Sequence, residues 1–173
     1  MNTVLHKGRF LTLIKEGHWE YAERANATGA AIIVAVTDER TVVLVEQYRI
    51  PVHARTLEFP AGLIGDEPGQ NGEAHADAAR RELIEETGFD AERMDILTHG
   101  PACSGLGSEV VTLFRASGLR RVGNGGGVDK EDITVHEVPL DGVDAWLEAK
   151  GKDGVLVDPK VYAGLYFIQR AAT

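Results

Sequence analysis

Residues 73–89 read EAHADAARRELIEETGF, and the fold is decided there. The stretch holds strong helix formers and no glycine or proline before Gly88, with Ala76, Ala79 and Leu83 spaced as the packing stripe of one helical face. A helix is therefore expected over 73–87, closed by Gly88 as a left-handed cap, with Phe89 folding back apolarly behind it. On a helix turning about 100° per residue, Glu82, Glu85 and Glu86 share one arc of about 100°. Carboxylates at this spacing repel. A divalent cation with a preference for hard oxygen ligands, Mg²⁺ or Mn²⁺, would turn that repulsion into coordination. An acidic face turned to solvent is the competing reading of a bare EXXEE pattern, so the surroundings must separate the two.

Upstream, residues 29–36 (GAAIIVAV) and 41–48 (TVVLVEQY) are β-rich runs around Asp38-Glu39-Arg40, which predicts a buried hairpin. Residues 56–59 form a further short strand that ends at Pro60. Residues 62–72, with four glycines and a proline, are expected to be a loop. Residues 3–21 mix short apolar runs with Gly8 and Gly17, with Trp19 and Tyr21 on one face of an extended segment. That reads as a strand pair or meander too small to fold alone. Downstream, 94–97 and 109–116 read as strands around the Gly- and Ser-rich loop 100–108, and such loops often carry function. The glycine-dense 123–127 is expected to be mobile, followed by a strand at 133–138 and helices near 143–149 and 159–169.

Composition narrows the class. A chain of 173 residues with a hydrophobic fraction of 43% suits one compact domain. The formal net charge of −9 argues against a nucleic-acid binder, which needs a basic stripe to displace phosphate counterions. Cys103 is the single cysteine, so no internal disulfide forms. No apolar signal core follows Met1, and no run approaches the roughly 20 apolar residues of a membrane span. A soluble, cytoplasmic protein with no membrane partner is expected. Cys103 reads as a small packing residue, and His53, His75 and His99 lack zinc-like spacing.

The context of the acidic helix resolves its ambiguity. Glu73, seven residues, then Arg81-Glu82-Leu83-Ile84-Glu85-Glu86-Thr87-Gly88-Phe89 resembles the signature of the Nudix hydrolase superfamily. The leading glycine of that signature is similar to Gly62, but ten residues rather than five separate it from Glu73. The extra length falls in a surface loop, where insertion costs little. The runs Trp19-Glu20-Tyr21 with Arg24, Val45 to Arg49, Leu57 to Gly62 and Glu137 to Leu140 resemble the ADP-ribose and nucleoside diphosphate sugar pyrophosphatase branch.

That resemblance implies an α+β fold, an α/β/α sandwich with a mixed sheet between helices. An N-terminal antiparallel β segment (1–27) would precede the hydrolase domain (28–173). It implies hydrolysis of the pyrophosphate bond of ADP-ribose or a related nucleoside diphosphate sugar, assisted by two or three Mg²⁺ ions. The alternative is another substrate class of the superfamily, dinucleoside polyphosphates or coenzyme A. By resemblance Glu82, Glu85, Glu86 and the Ala61 carbonyl are metal ligands. Arg81 and Glu73 orient the carboxylates, and Glu109 activates water. Trp19 would stack on the nucleobase, Glu20 would accept from its edge, and Arg24, Arg49 and Glu58 would bind substrate. A tryptophan packed into the core is the alternative for Trp19. Ser104 stands where this branch's enzymes usually carry proline, which loosens selectivity for ADP-ribose. The branch also implies a homodimer, with the base platform of one subunit beside the other subunit's metal site.

Overall fold

The computed structural model describes residues 2–65, 74–128 and 131–171. Glu73 and residues 66–72 of the expected loop lie outside the described residues.

The chain opens with β1 (Asn2–Lys7), β2 (Leu11–Glu16) and β3 (Trp19–Arg24), an antiparallel meander forming its own three-stranded sheet. Ile14 is its one buried large apolar side chain. Two four-stranded sheets follow. The first has the order β7 (Ala61–Ile64), β4 (Gly29–Ala35), β9 (Val110–Arg121), β8 (Phe89–Pro101). The second runs β10 (Thr134–Pro139), β5 (Thr41–Arg49), β6 (Ala54–Glu58), β11 (Leu156–Val157). Both are mixed, because β4 pairs parallel with β9 and β11 parallel with β6. Helices α1 (His75–Thr87), α2 (Val143–Lys152) and α3 (Pro159–Ala171) complete the fold. No helix among the described residues is long and apolar enough to cross a membrane.

Layering follows from the alternation of side chains along β4, which is buried throughout. Ala31, Ile33 and Ala35 face one way and pack with Ala78, Ala79 and Leu83 of α1. Ile32 and Val34 face the other way, into a second core shared with Leu44, Leu57, Phe59, Leu147 of α2, and Val161 and Leu165 of α3. Helices thus cover both sides of the β layers, as expected for an α/β/α arrangement, with the single expected sheet divided in two.

Three local expectations change. The two β-rich runs are not a hairpin. The turn at 37–40 joins them through Thr37 N–H to the Thr41 carbonyl at 2.9 Å, but only the bridge Val36–Val42 links them before they part into different sheets. Both edges of β4 are taken by β7 and β9, and both edges of β5 by β6 and β10, so neither has a free edge for the other. The expected loop also begins later, since 62–64 belong to β7. Finally, the glycine run expected to be mobile is docked beneath α1. Gly126 and Gly127 N–H donate to the carbonyls of Glu86 and Glu85 at 2.8 and 3.0 Å. These carbonyls lie at the helix end and would otherwise lack intrahelical partners. Gly125 has φ +67°, and a Cβ there would strike the Thr87 backbone, so glycine is required by contact as well as by conformation.

A buried carboxylate fixes the second sheet to its helix. Glu46 on β5 is 7% exposed. It accepts from Arg55 of β6 and Lys150 of α2, both at 2.7 Å, and lies 3.0 Å from His136 of β10. Burial opposes its ionisation, but these partners outweigh burial and hold its pKa at about 2. Arg55 also reaches Asp132 at 3.1 Å, which anchors the segment carrying Glu131.

Candidate functional site

The site forms where α1 meets the start of the β4–β9 pair and the end of β5. A cleft of about 420 Å³ is lined by Arg24, Gln47, Arg49, Glu58, Ala61, Gly62, Glu82, Glu86, Glu109, Glu131 and Lys160, over a floor that includes Ile32 and Val111. Helix α1 is held in register at its C-terminus. Gly88, at φ +73°, donates its N–H to the Ile84 carbonyl at 2.9 Å. The Thr87 hydroxyl donates to the Leu83 carbonyl and accepts from Phe89 N–H at 3.2 Å, and Phe89 is buried as expected. These contacts orient the turn that carries the acidic residues.

The helical arc divides between two directions. Glu82 and Glu86 enter the cleft. Glu85 does not line it and sits on the α1 face with Asp77, Arg80 and Arg81. Arg81 bridges the two sides, with Nη1 donating to Glu82 at 2.8 Å and to Glu85 at 3.4 Å. Glu86 is 5% exposed and accepts the Ala61 N–H at 2.9 Å, which links the helix to β7. Gly62 permits this approach, because a Cβ there would overlap the side chain of Glu82.

Electrostatics set the cleft's demand for cation. Burial pushes the Glu86 carboxyl up to about 8. The Ala61 N–H and Arg49 pull it down, while Glu82 and Glu131 add repulsion. Also lining the cleft, Arg49 grips Glu58 with two bonds of 2.8 Å. Glu58 is driven up by burial, but hydrogen bonds from Arg49 and Thr56 prevail and leave it below its usual range. Glu109 lines the cleft as well, paired with Arg24. Lys160, on the first turn of α3, bonds Asp158 at 2.5 Å.

The donor set suits a hard divalent cation: two carboxylates, Glu82 and Glu86, face the cleft beside the β7 backbone, and Glu131 adds a third negative charge to it. No cluster of three or more metal-ligating side chains occurs among the described residues. A metal would therefore draw on backbone, water or substrate oxygens as well.

This crowding has a consequence for stability. In metal-free protein the folded pKa of Glu86 lies above the ordinary value of 4.5. Its contribution is therefore complete below about 4.5 and is lost as pH rises through about 8. Glu46, Glu58 and Asp90 are shifted downward and are ionised in both folded and unfolded states from pH 6 to 9, so they add no slope there. We expect the melting temperature in chelator to fall between pH 6 and 9, and saturating Mg²⁺ to raise it more at pH 9 than at pH 6. A Mg²⁺ shift of the same size at both pH values would contradict the assignment.

Of the residues picked out from sequence, the fold brings Arg24, Arg49, Glu58, Ala61, Gly62, Glu82, Glu86 and Glu109 to one cleft. Trp19 and Glu20 stay outside its lining. Trp19 is 51% exposed and lies against His18, and Glu20 faces Lys15 at 3.8 Å. The alternative of a core-packed Trp19 is thereby excluded. Gln47, Glu131 and Lys160 were not anticipated. Gln47 alternates on β5 with the quoted Arg49 and was findable by strand period. Glu131 and Lys160 carry no local signal.

Known proteins resemble this chain in family and in fold. Residues 27–156 match the NUDIX domain family. The methanol dehydrogenase activator of Bacillus methanolicus is 30% identical over 90% of this chain and 80% of its own length. The GDP-mannose pyrophosphatase of Yersinia pestis (strain Pestoides F) is 30% identical over 89% and 78%, respectively. The ADP-ribose pyrophosphatase of Bacillus subtilis is 33% identical over 65% of this chain, which spans 59% of that protein. Among solved structures, an ADP compounds hydrolase superposes with a TM-score of 0.74 at 22% identity, covering 98% of this chain and 90% of that one. That likeness speaks for the fold.

Proposed function

Because the chain belongs to the NUDIX family and is a pyrophosphatase of it, we propose that its substrates are ADP-ribose or related nucleoside diphosphate sugars, cleaved at the pyrophosphate to a nucleoside monophosphate and a sugar phosphate. The observation that carries the reading is the placement of Glu82 and the buried Glu86 together with Arg24 and Arg49 in one cleft. A pyrophosphate needs a cation against its oxygens and cationic side chains at its ends. Relatives named for ADP-ribose and GDP-mannose support the substrate class.

Nudix enzymes generally use divalent metals. In this chain Glu82 and Glu86 would hold the metal with the Ala61 carbonyl; Glu85, expected from the sequence as a further ligand, does not line the cleft and would act only by fixing Arg81. Two or three Mg²⁺ ions are the proposed complement, with Mn²⁺ as a substitute. When bound, such ions neutralise the pyrophosphate and lower the pKa of the attacking water. The protein's own groups do the placement. Arg49, braced by Glu58, presents fixed positive charge, and Arg81 sets the rotamers of Glu82 and Glu85.

Water activation has two candidates. Glu109 lines the cleft but is paired with Arg24. Glu131 lines it on the side where its charge acts on Glu86. The meander β1–β3, with exposed Val4, Phe10, Leu11, Leu13 and Trp19, is the surface on which a second subunit would pack, bringing its platform to the neighbouring cleft.

The test is a Mg²⁺-dependent phosphate-release assay, coupled to phosphatase, across ADP-ribose, GDP-mannose, ADP-glucose, UDP-glucose and diadenosine polyphosphates. Turnover of one or more nucleotide sugars is expected, and turnover of the polyphosphates alone would sink the reading. In the same assay the residue that activates water is the one of Glu109→Gln and Glu131→Gln that lowers kcat by roughly 10²–10⁴ with KM retained.

A further inference from the structure

Glu131 reaches the cleft from a turn that is tied on both sides. The turn closes on itself, because the Glu131 N–H donates to the Val128 carbonyl at 3.1 Å and the Glu131 carboxylate accepts the Val128 N–H at 2.9 Å. On one side Gly126 and Gly127 N–H donate to the Glu86 and Glu85 carbonyls, so the turn rides on the helix that carries Glu82 and Glu86. A Cβ on Gly127 would strike the Glu131 side chain, so the two pack without a gap. On the other side stands Asp132, whose carboxylate accepts from Arg55 Nη1 at 3.1 Å. Arg55 is itself fixed from behind. Its Nε donates to the Glu46 carboxylate at 2.7 Å, and its Nη2 donates to the Glu46 carbonyl at 3.1 Å and to Thr134 Oγ1 at 3.5 Å. Glu46 is buried and is held in turn by Lys150 of α2 at 2.7 Å.

A guanidinium gripped at two of its nitrogens presents the third in one direction, which a lysine cannot do. The Arg55–Asp132 pair contributes little to stability, since the Asp132 side chain is 81% exposed and such pairs are screened by water. What it does is locate the neighbouring residue. A side chain acts on a reacting group only from the right place, and a misplacement of about 1 Å can lower a rate about 10²-fold. We propose that Arg55 and Asp132 are positioning residues that hold Glu131 at the cleft, so that turnover depends on this exposed pair although neither residue lines the cleft. The proposal rests on the reading above in one respect, that a carboxylate of the cleft activates water. Of the two candidates it selects Glu131, because the carboxylate of Glu109 is taken up by Arg24.

Asp132→Ala cuts the tether at its exposed end and leaves Arg55 on Glu46. In chelator, amide hydrogen exchange at Val128 and Glu131 should become several-fold faster than in wild type, while exchange in β5 and β6 holds. With Mg²⁺ and any substrate that turns over, kcat should fall roughly ten-fold with KM retained. Arg55→Lys, which keeps a cation on Glu46 but lacks the fork that reaches Asp132, should do the same. In a Glu131→Gln background Asp132→Ala should lower kcat no further, because the group it places is already gone. Lys150→Met removes another partner of Glu46 without touching Asp132, and it should melt earlier yet keep kcat. The proposal is overturned if Asp132→Ala exchanges as wild type does or keeps its kcat. It is also overturned if Asp132→Ala lowers kcat as much with Glu131→Gln as without it, or if Lys150→Met lowers kcat as far as Arg55→Lys does. Wild-type kcat in Glu131→Gln would overturn it as well and leave water activation to Glu109. A protein that turns over only the polyphosphates would end the nucleotide-sugar reading alone, since the same variants then decide the tether on those substrates.

Discussion

Glu86→Gln is expected to lower kcat by roughly 10³-fold while the protein stays folded. The side chain is 5% exposed and accepts the Ala61 N–H at 2.9 Å. An amide oxygen keeps that bond in the same volume but removes the charge a metal needs. It also removes the repulsion from Glu82 and Glu131 and the cost of burying an anion, which together lift the Glu86 pKa to about 8. Metal-free Glu86→Gln should therefore melt no lower than metal-free wild type at pH 9, and its melting temperature should respond weakly to Mg²⁺. Turnover by phosphate release and melting in chelator and in Mg²⁺ read both halves. A variant with near wild-type rate would refute the role of Glu86, and one that fails to fold would show its carboxylate to be structural.

Gly62→Ala is the second large effect. Strand β7 passes so close to α1 that the added methyl would overlap the Glu82 side chain near Cγ and Cδ. Glu82 is also held by Arg81 at 2.8 Å. It must leave both its rotamer and the cleft, or β7 must withdraw and pull Ala61 from Glu86. Either movement disturbs the two carboxylates that face the cleft. We expect kcat/KM to fall by about 10²-fold and stability by about 1–3 kcal/mol, the usual cost of overpacking. Gly100→Ala is the matched control, since a Cβ there meets nothing within 4 Å. Activity of Gly62→Ala equal to that of Gly100→Ala would show that the close approach is incidental.

Both experiments depend on residues whose importance was legible to different degrees. Glu86 stands out in the sequence because the acidic triplet at helical spacing, closed by Gly88, sits within a longer motif that resembles the Nudix signature. Gly62 was picked out as the leading glycine of a motif, with no physical reason attached. The reason is the proximity of β7 to Glu82, residues far apart along the chain. The glycine run at 123–127 misled for the same cause. Composition says such a run is free to move, but the exposed carbonyls of α1 give it hydrogen bonds to make. The expected hairpin failed because strand strength is a local property, whereas pairing depends on which edges other strands already occupy.

By itself, then, the sequence determined the acidic helix with its cap and the position of most strands and helices, which are read from periods and caps that act over a few residues; Arg24, Arg49 and Glu58 stand out in it only by resemblance to a family. Only the tertiary structure decided that Glu82 and Glu86 enter the cleft while Glu85 turns to the Arg81 face. It alone brought Gln47, Glu131 and Lys160 to the same cleft, and it alone tied β3 to the Glu109 loop. A helix's periodicity fixes which residues share a face, but the direction of that face is set by packing on β4 and β7. Contacts between distant segments leave no mark in the local pattern of either one.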